Sequence, residues 1–152
     1  MTEVGMTDGP KGRITVGVDG SENARAAVAW AADEALLRGA ELHVVQVWQV
    51  SVTPGPYGLG EMSTVIARAA EAIADEHADW AEARIGSPVI RTVECGSAAL
   101  VLIREGHASD LLVVGSRGHG GFAGLVLGSV SSQLAHHAPC PVVIVPDPAR
   151  LR

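Results

Sequence analysis

Short apolar runs rich in β-branched residues, at positions 14–18, 42–47, 111–114 and Val142–Val145, restrict the fold of this chain more than any other feature of its sequence. A strand with one wet face alternates apolar and polar residues, whereas runs of this kind suit parallel strands covered by helices on both faces. A further run at 89–94, Val-Ile-Arg-Thr-Val-Glu, is broken by polar residues and reads as an exposed edge strand.

Between the runs the apolar period changes to that of a helix. Ser21 can cap a helix that carries Ala24, Ala27, Val28, Ala31, Ala35 and Leu36 on its inner stripe and ends at Gly39. Met62, Ile66, Ala69, Ile73 and Trp80 fall at helical spacing on a longer helix over 61–85, closed by Gly86-Ser87-Pro88. Ser97 opens a third helix through residue 105, stopped by Gly106, and Ser129 opens a fourth through residue 137, stopped by Pro139. Residues 53–60, rich in Pro and Gly, read as a surface loop. Strand and helix alternate throughout, which predicts an α/β fold: an open five-stranded parallel sheet with helices on both faces, Rossmann-like. The 152 residues suit one domain over 13–147, between a flexible tail at 1–12 and a short C-terminal tail at 148–152.

Composition removes several functional classes. A formal charge of −6 and a single lysine, Lys11, disfavour nucleic acid and anionic membranes, both of which need clustered positive charge. Trp30, Trp48, Tyr57, Trp80 and Phe122 are scattered and form no row on which bases could stack. Hydrophobic residues make up 47% of the chain, yet no stretch approaches the roughly 18 apolar residues of a membrane span, so they belong to a core. Residues 1–12 contain no apolar signal segment, and the expected location is the cytoplasm. Cys95 and Cys140 lack metal or redox spacing and read as free thiols, buried as small hydrophobes.

In an open α/β sheet, ligands bind beyond the carboxyl ends of the strands, where the strand order reverses. Asp19-Gly20-Ser21 follows the first strand, Gly115-Ser116-Arg117-Gly118-His119-Gly120-Gly121 follows the fourth, and Gly128-Ser129-Val130 opens the last helix. Glycines admit an anion to the backbone N–H groups, and a helix start adds partial positive charge and a hydroxyl donor, the makings of a phosphate cradle. A flexible glycine-rich turn before a helix has the same composition, and residue chemistry alone does not separate the two. A Walker A loop is excluded, because it needs Gly-Lys followed by Ser or Thr after the first strand. Gly118-x-Gly120-x-x-Ala123 matches the dinucleotide fingerprint only in form: that motif belongs at the first βα turn and needs an acidic residue about 20 positions on, but none follows before Asp147.

The segments Val18-Asp19-Gly20-Ser21, Leu111 to Gly118 and Leu127-Gly128-Ser129-Val130 resemble the universal stress protein family, and the resemblance spans residues 13–146. Gly115, Gly118, Gly128 and Ser129 reproduce the glycine spacing of that family's ATP-binding branch. The resemblance implies strand order 3-2-1-4-5 and a bound ATP, with ADP or AMP as other occupants, together with Mg²⁺ or Mn²⁺. It also implies roles: Asp19 beside the ribose or adenine, the Val47 backbone at the adenine edge, and Gly115 and Gly118 against ribose and α-phosphate. Gly128, Ser129 and Val130 would surround the outer phosphates. Arg117 and His119 are the loop side chains able to meet phosphate charge, and His119 also reads as simply solvated. Asp19 has a second reading, as an Asx-type cap on the first helix, compatible with the first. His136 and His137 end the last helix, where they complement its dipole and do not indicate a metal site.

Phosphoryl transfer requires groups that position a nucleophile and neutralise developing charge, and only Asp19 and Arg117 are candidates. No G-x-S-x-G elbow or H-E-x-x-H motif is present and Ser116 has no evident base, so no catalytic residue is assigned. The expected function is a nucleotide-dependent sensor or switch in a stress response. A slow ATPase or adenylyl-transferring enzyme and a cyclic-nucleotide-binding protein are the alternatives. In the implied strand order the uncharged strand Val142–Val145 is an unprotected edge, which predicts a two-fold homodimer through it.

Overall fold

The structure, a computed structural model, describes residues 12–50, 59–118 and 126–151. Residues 1–11 of the expected tail at 1–12, residues 53–58 of the expected loop at 53–60, and His119 with the rest of 119–125 lie outside the described residues, whereas Leu59 and Gly60, expected in the loop, begin a helix.

The chain runs β1 (Arg13–Val18), α1 (Glu22–Arg38), β2 (Glu41–Trp48), α2 (Leu59–Ile85), β3 (Ile90–Cys95), α3 (Ala98–Gly106), β4 (Leu111–Gly115), α4 (Ser129–His137) and β5 (Val142–Val145). The strands form one five-stranded sheet in the order β3-β2-β1-β4-β5, as expected, and every neighbouring pair is parallel. Ile14, Val16, Leu42, Val44 and Val113 pack with α1 and α2 on one face. Val45, Leu112 and Val114 pack with Val101 and Leu102 of α3 and Leu134 of α4 on the other. Successive strand residues are therefore buried on opposite faces, which is why the strands read as apolar runs without alternation. The expected C-terminal tail begins with a 3₁₀ turn, Pro148–Leu151.

Helix ends follow local chemistry. Ser21 Oγ accepts the Ala24 N–H at 3.1 Å, and Gly39 closes α1 in the left-handed region at φ 63°. The inner stripes differ from expectation. In α1, Leu36 is exposed and Ala32 completes the buried face, joined by Asn23. In α2, Met62, Ala69 and Trp80 face solvent, and the buried positions are Ala70, Ala74, His77, Ala78 and Ala81. Alanines on the inner face let a long helix lie close to the sheet. Ile73 packs at the margin of the core, while Trp80 lies beneath the Arg84 guanidinium, 5.3 Å from the ring centre.

The polar residues of edge strand β3 are fastened to both helical layers. Arg91 reaches Asp75, Asp79 and Glu82 of α2 at 2.8, 3.2 and 3.0 Å, and Arg104 of α3 donates to Glu94 at 2.8 Å. Charge on an edge opposes pairing with a second chain. No comparable charge stands on β5, the opposite edge. Both cysteines are free thiols; Cys140 is half-buried, but Cys95 is exposed, contrary to the expectation of burial. Among the described residues, no helix is long and apolar enough to cross a membrane.

Among the described residues two histidines, His43 and His77, are buried. His43 is hydrogen-bonded through Nδ1 to Thr15 Oγ1 at 3.2 Å and through Nε2 to Thr92 Oγ1 at 2.8 Å. Burial lowers its pKa, helped by Arg13 and opposed by Glu105 and Glu41. Burial also lowers the pKa of His77, with Arg25 acting in the same sense and Glu76 and Asp19 against it. A group harder to protonate in the folded chain costs no stability above its unfolded pKa of about 6.5. Below that pH the unfolded state takes up more protons and stability falls, by at most about 1.4 kcal/mol per pH unit for each histidine. The urea midpoint is therefore expected to be lower at pH 5.5 than at pH 8, and His43→Gln with His77→Gln should flatten the difference. Equal wild-type midpoints would contradict this account.

Candidate functional site

The strand order reverses between β1 and β4, and the carboxyl ends of β1, β2 and β4 open there into a cleft of about 720 Å³. Gly17, Val45 and Val114 of the strands line it together with Ala98 and Leu102 of α3 and the first turn of α4. The residues singled out from the sequence, Asp19, Val47, Gly115, Arg117, Gly118, Gly128, Ser129 and Val130, all line this one cleft. They come from four places in the chain, brought together by the parallel topology.

Each is positioned by identifiable bonds. Asp19 Oδ1 accepts the Ser21 N–H at 3.0 Å and the Ser21 hydroxyl at 2.6 Å, so the Asx-type turn is real. The other oxygen, Oδ2, is turned toward Gly118, where a Cβ would collide with it. A Cβ on Gly115 would lie 2.7 Å from Asn23 Cγ. Glycine at 115 is thus demanded by the buried Asn23, while a side chain at 118 requires the Asp19 carboxylate to move. Gly128 differs, since a Cβ there would meet the Ser116 carbonyl oxygen at an ordinary 3.4 Å.

The loop between β4 and α4 is cinched at its base. The Ser116 carbonyl accepts the Gly128 N–H at 2.6 Å and the Ser131 hydroxyl at 2.9 Å. Gly128 is the N-cap of α4 and contributes no side chain, so Ser129 is the first helical residue. The helix start faces the cleft with its amides, where the dipole favours an anion. Ser116 is buried and its Oγ donates to Asn23 Oδ1 at 3.3 Å, a packing role consistent with its lacking a base. Sequence reasoning passed over Asn23 and Ser131, both of which hold the loop by side-chain bonds. Their signal was weak, because a polar residue in the first turn of a helix reads as ordinary capping chemistry.

Fold and cleft together define a doubly wound α/β domain with a glycine-lined cleft at the switch point of its sheet. The family model described as the Universal stress protein family matches residues 11–146, and the chain belongs to that family. A universal stress protein of Mycobacterium bovis is 41% identical over 132 residues, which cover 86% of this chain and 44% of that protein. The chain thus spans about half the length of the curated relatives it matches. Among solved structures, the universal stress protein UspA from Lactobacillus plantarum shares the fold with a TM-score of 0.78 at 24% identity, covering 88% of this chain and 97% of that one. A universal stress protein determined in complex with cAMP has a TM-score of 0.65 at 28% identity, covering 88% of this chain and 95% of that one.

Proposed function

We propose that the cleft binds an adenine nucleotide, principally ATP with Mg²⁺ or Mn²⁺, and that the bound state regulates a stress response in the cytoplasm instead of feeding a reaction. The observation that carries this reading is the convergence of Asp19, Val47, Gly115, Gly118, Gly128 and Ser129 on one cleft whose size suits a nucleotide. The family membership and the cAMP complex of a relative support it.

In this reading Asp19 accepts from the ribose or adenine, its orientation fixed by Ser21. The Val47 backbone meets the adenine edge, and Gly115 and Gly118 admit the ribose and first phosphate. Arg117 supplies a cation beside the phosphates, and Ser129 and Val130 hold the outer ones with their amides and the Ser129 hydroxyl, while Gly128, its own N–H kept on the Ser116 carbonyl, admits them to the helix start. Among the described residues no group of three or more His, Cys, Asp or Glu could hold a metal. The donor set fits an ion carried chiefly by phosphates and water, as Mg²⁺ usually is, with the Ser129 hydroxyl as the protein group at the outer-phosphate end. Regulation is favoured over turnover because Ser116 is tied into packing and, among the described residues, Asp19 is the carboxylate that lines the cleft.

A cyclic nucleotide is the second reading, favoured by the cAMP-bound relative. Protein purified without added nucleotide and then denatured is expected to release ATP or ADP at about one per chain, identified by mass spectrometry. Release of cAMP would substitute the second reading. Release of nothing, with no uptake of added nucleotide, would contradict both.

The unguarded edge of β5 supports a two-fold homodimer through Val142–Val145. Light scattering at micromolar concentration is expected to give the mass of two chains. The mass of a single chain would refute the dimer.

A further inference from the structure

We propose that the side-chain amide of Asn23 is the joint through which occupancy of the cleft is felt at edge strand β5, an inference that rests on the nucleotide reading above. Asn23 lies in the first turn of α1 and is 4% exposed. Its Oδ1 accepts the Arg117 N–H at 2.8 Å and the Ser116 hydroxyl at 3.3 Å, from the residues immediately beyond β4. Its Nδ2 donates to the carbonyls of Val145 at 3.0 Å and Pro146 at 3.3 Å, at the carboxyl end of β5. One planar amide therefore holds the glycine loop with its oxygen and the edge strand with its nitrogen.

The orientation of that amide is dictated by its partners, since a flipped amide would set N–H against N–H and oxygen against carbonyl. Capping does not account for Asn23, because Ser21 already caps α1. Asparagine is also an indifferent helix former, and burying its amide is tolerable only when both ends are bonded. The joint has little slack: a Cβ on Gly115 would come within 2.7 Å of Asn23 Cγ, and Ser116 N separately donates to the Val145 carbonyl at 2.8 Å. A ligand that fixes the peptide between Ser116 and Arg117 fixes the partner of Oδ1, and through the rigid amide the carbonyls of Val145 and Pro146. Linkage is reciprocal, so whatever holds the end of β5 also strengthens nucleotide binding.

Amide hydrogen exchange of the wild type with and without MgATP tests this, alongside calorimetry under the same conditions. Nucleotide is expected to slow exchange at Arg117 and across residues 143–147 by about fivefold or more. Asn23→Asp keeps oxygen acceptors toward Arg117 and Ser116 but sets an oxygen against two carbonyls. It should bind nucleotide within about tenfold of wild type while losing the nucleotide-dependent protection at 143–147. Asn23→Ala should lose both. A merely structural role would speed exchange in the variants with and without nucleotide and leave the difference between the two conditions unchanged, which would overturn the proposal. Saturating binding to the wild type with no change at 143–147 would overturn it even if neither variant folds. Absence of binding to the wild type would remove the ligand reading and the coupling together, a result distinct from the previous ones.

Discussion

Gly118→Val is expected to weaken nucleotide binding by about a hundredfold or more, roughly 2.7 kcal/mol, while the protein stays folded. Gly118 is exposed and its φ lies outside the left-handed region, so the backbone accepts a side chain. The damage is confined to the cleft. The new Cβ meets the Asp19 carboxylate, which must swing aside, and the branched methyl groups occupy the ground on which a ligand would rest. Displacing Asp19 also loosens its bonds to Ser21, so a small stability loss of about 1 kcal/mol accompanies the change. Calorimetry with MgATP and a thermal melt check both halves. Wild-type affinity in a folded variant would show that Gly118 does not face the ligand.

The same replacement at Gly115 is expected to fail differently, losing both binding and stability. Its Cβ would lie 2.7 Å from Asn23 Cγ, and Asn23 has no room to yield, being buried and bonded at both ends of its amide. Wedging extra carbon into a packed interior costs about 1–3 kcal/mol. For a domain of this size that lowers the melting temperature by roughly 3–10 °C. Gly115→Val should therefore melt earlier than Gly118→Val while binding no better. Equal melting temperatures would mean that the Asn23 contact carries little of the stability of the loop.

These two glycines illustrate what could be read from the sequence and what could not. The spacing of Gly115, Gly118, Gly128 and Ser129 was legible through its resemblance to the family pattern, since residue chemistry alone does not separate a phosphate cradle from a flexible turn, and the structure brings those residues to one cleft. The reason for the glycines at 115 and 118 was hidden, because Asn23 and Asp19 are remote in sequence. Strands and caps were legible from local chemistry: β-branched runs covered on both faces, Ser21 and Ser97 at helix starts, Gly39 at a helix end. The buried face of α2 was misread because large apolar residues dominate any periodic reading. The sheet instead selected Ala70, Ala74, Ala78 and Ala81 for close approach, and Trp80 found a partner in Arg84 outside the core. Asn23 escaped notice for a related reason: its bonds reach partners about a hundred residues away, and no local pattern records them.

The central claim, an adenine nucleotide in the cleft at the carboxyl ends of β1, β2 and β4, is tested most directly by titrating nucleotide-free protein with MgATP in a calorimeter and repeating the titration with cAMP present. The account predicts saturable binding at about one nucleotide per chain, weakened by cAMP as a competitor for the same cleft. No heat of binding from ATP, ADP, AMP or cAMP, with the protein shown to be folded, would contradict it.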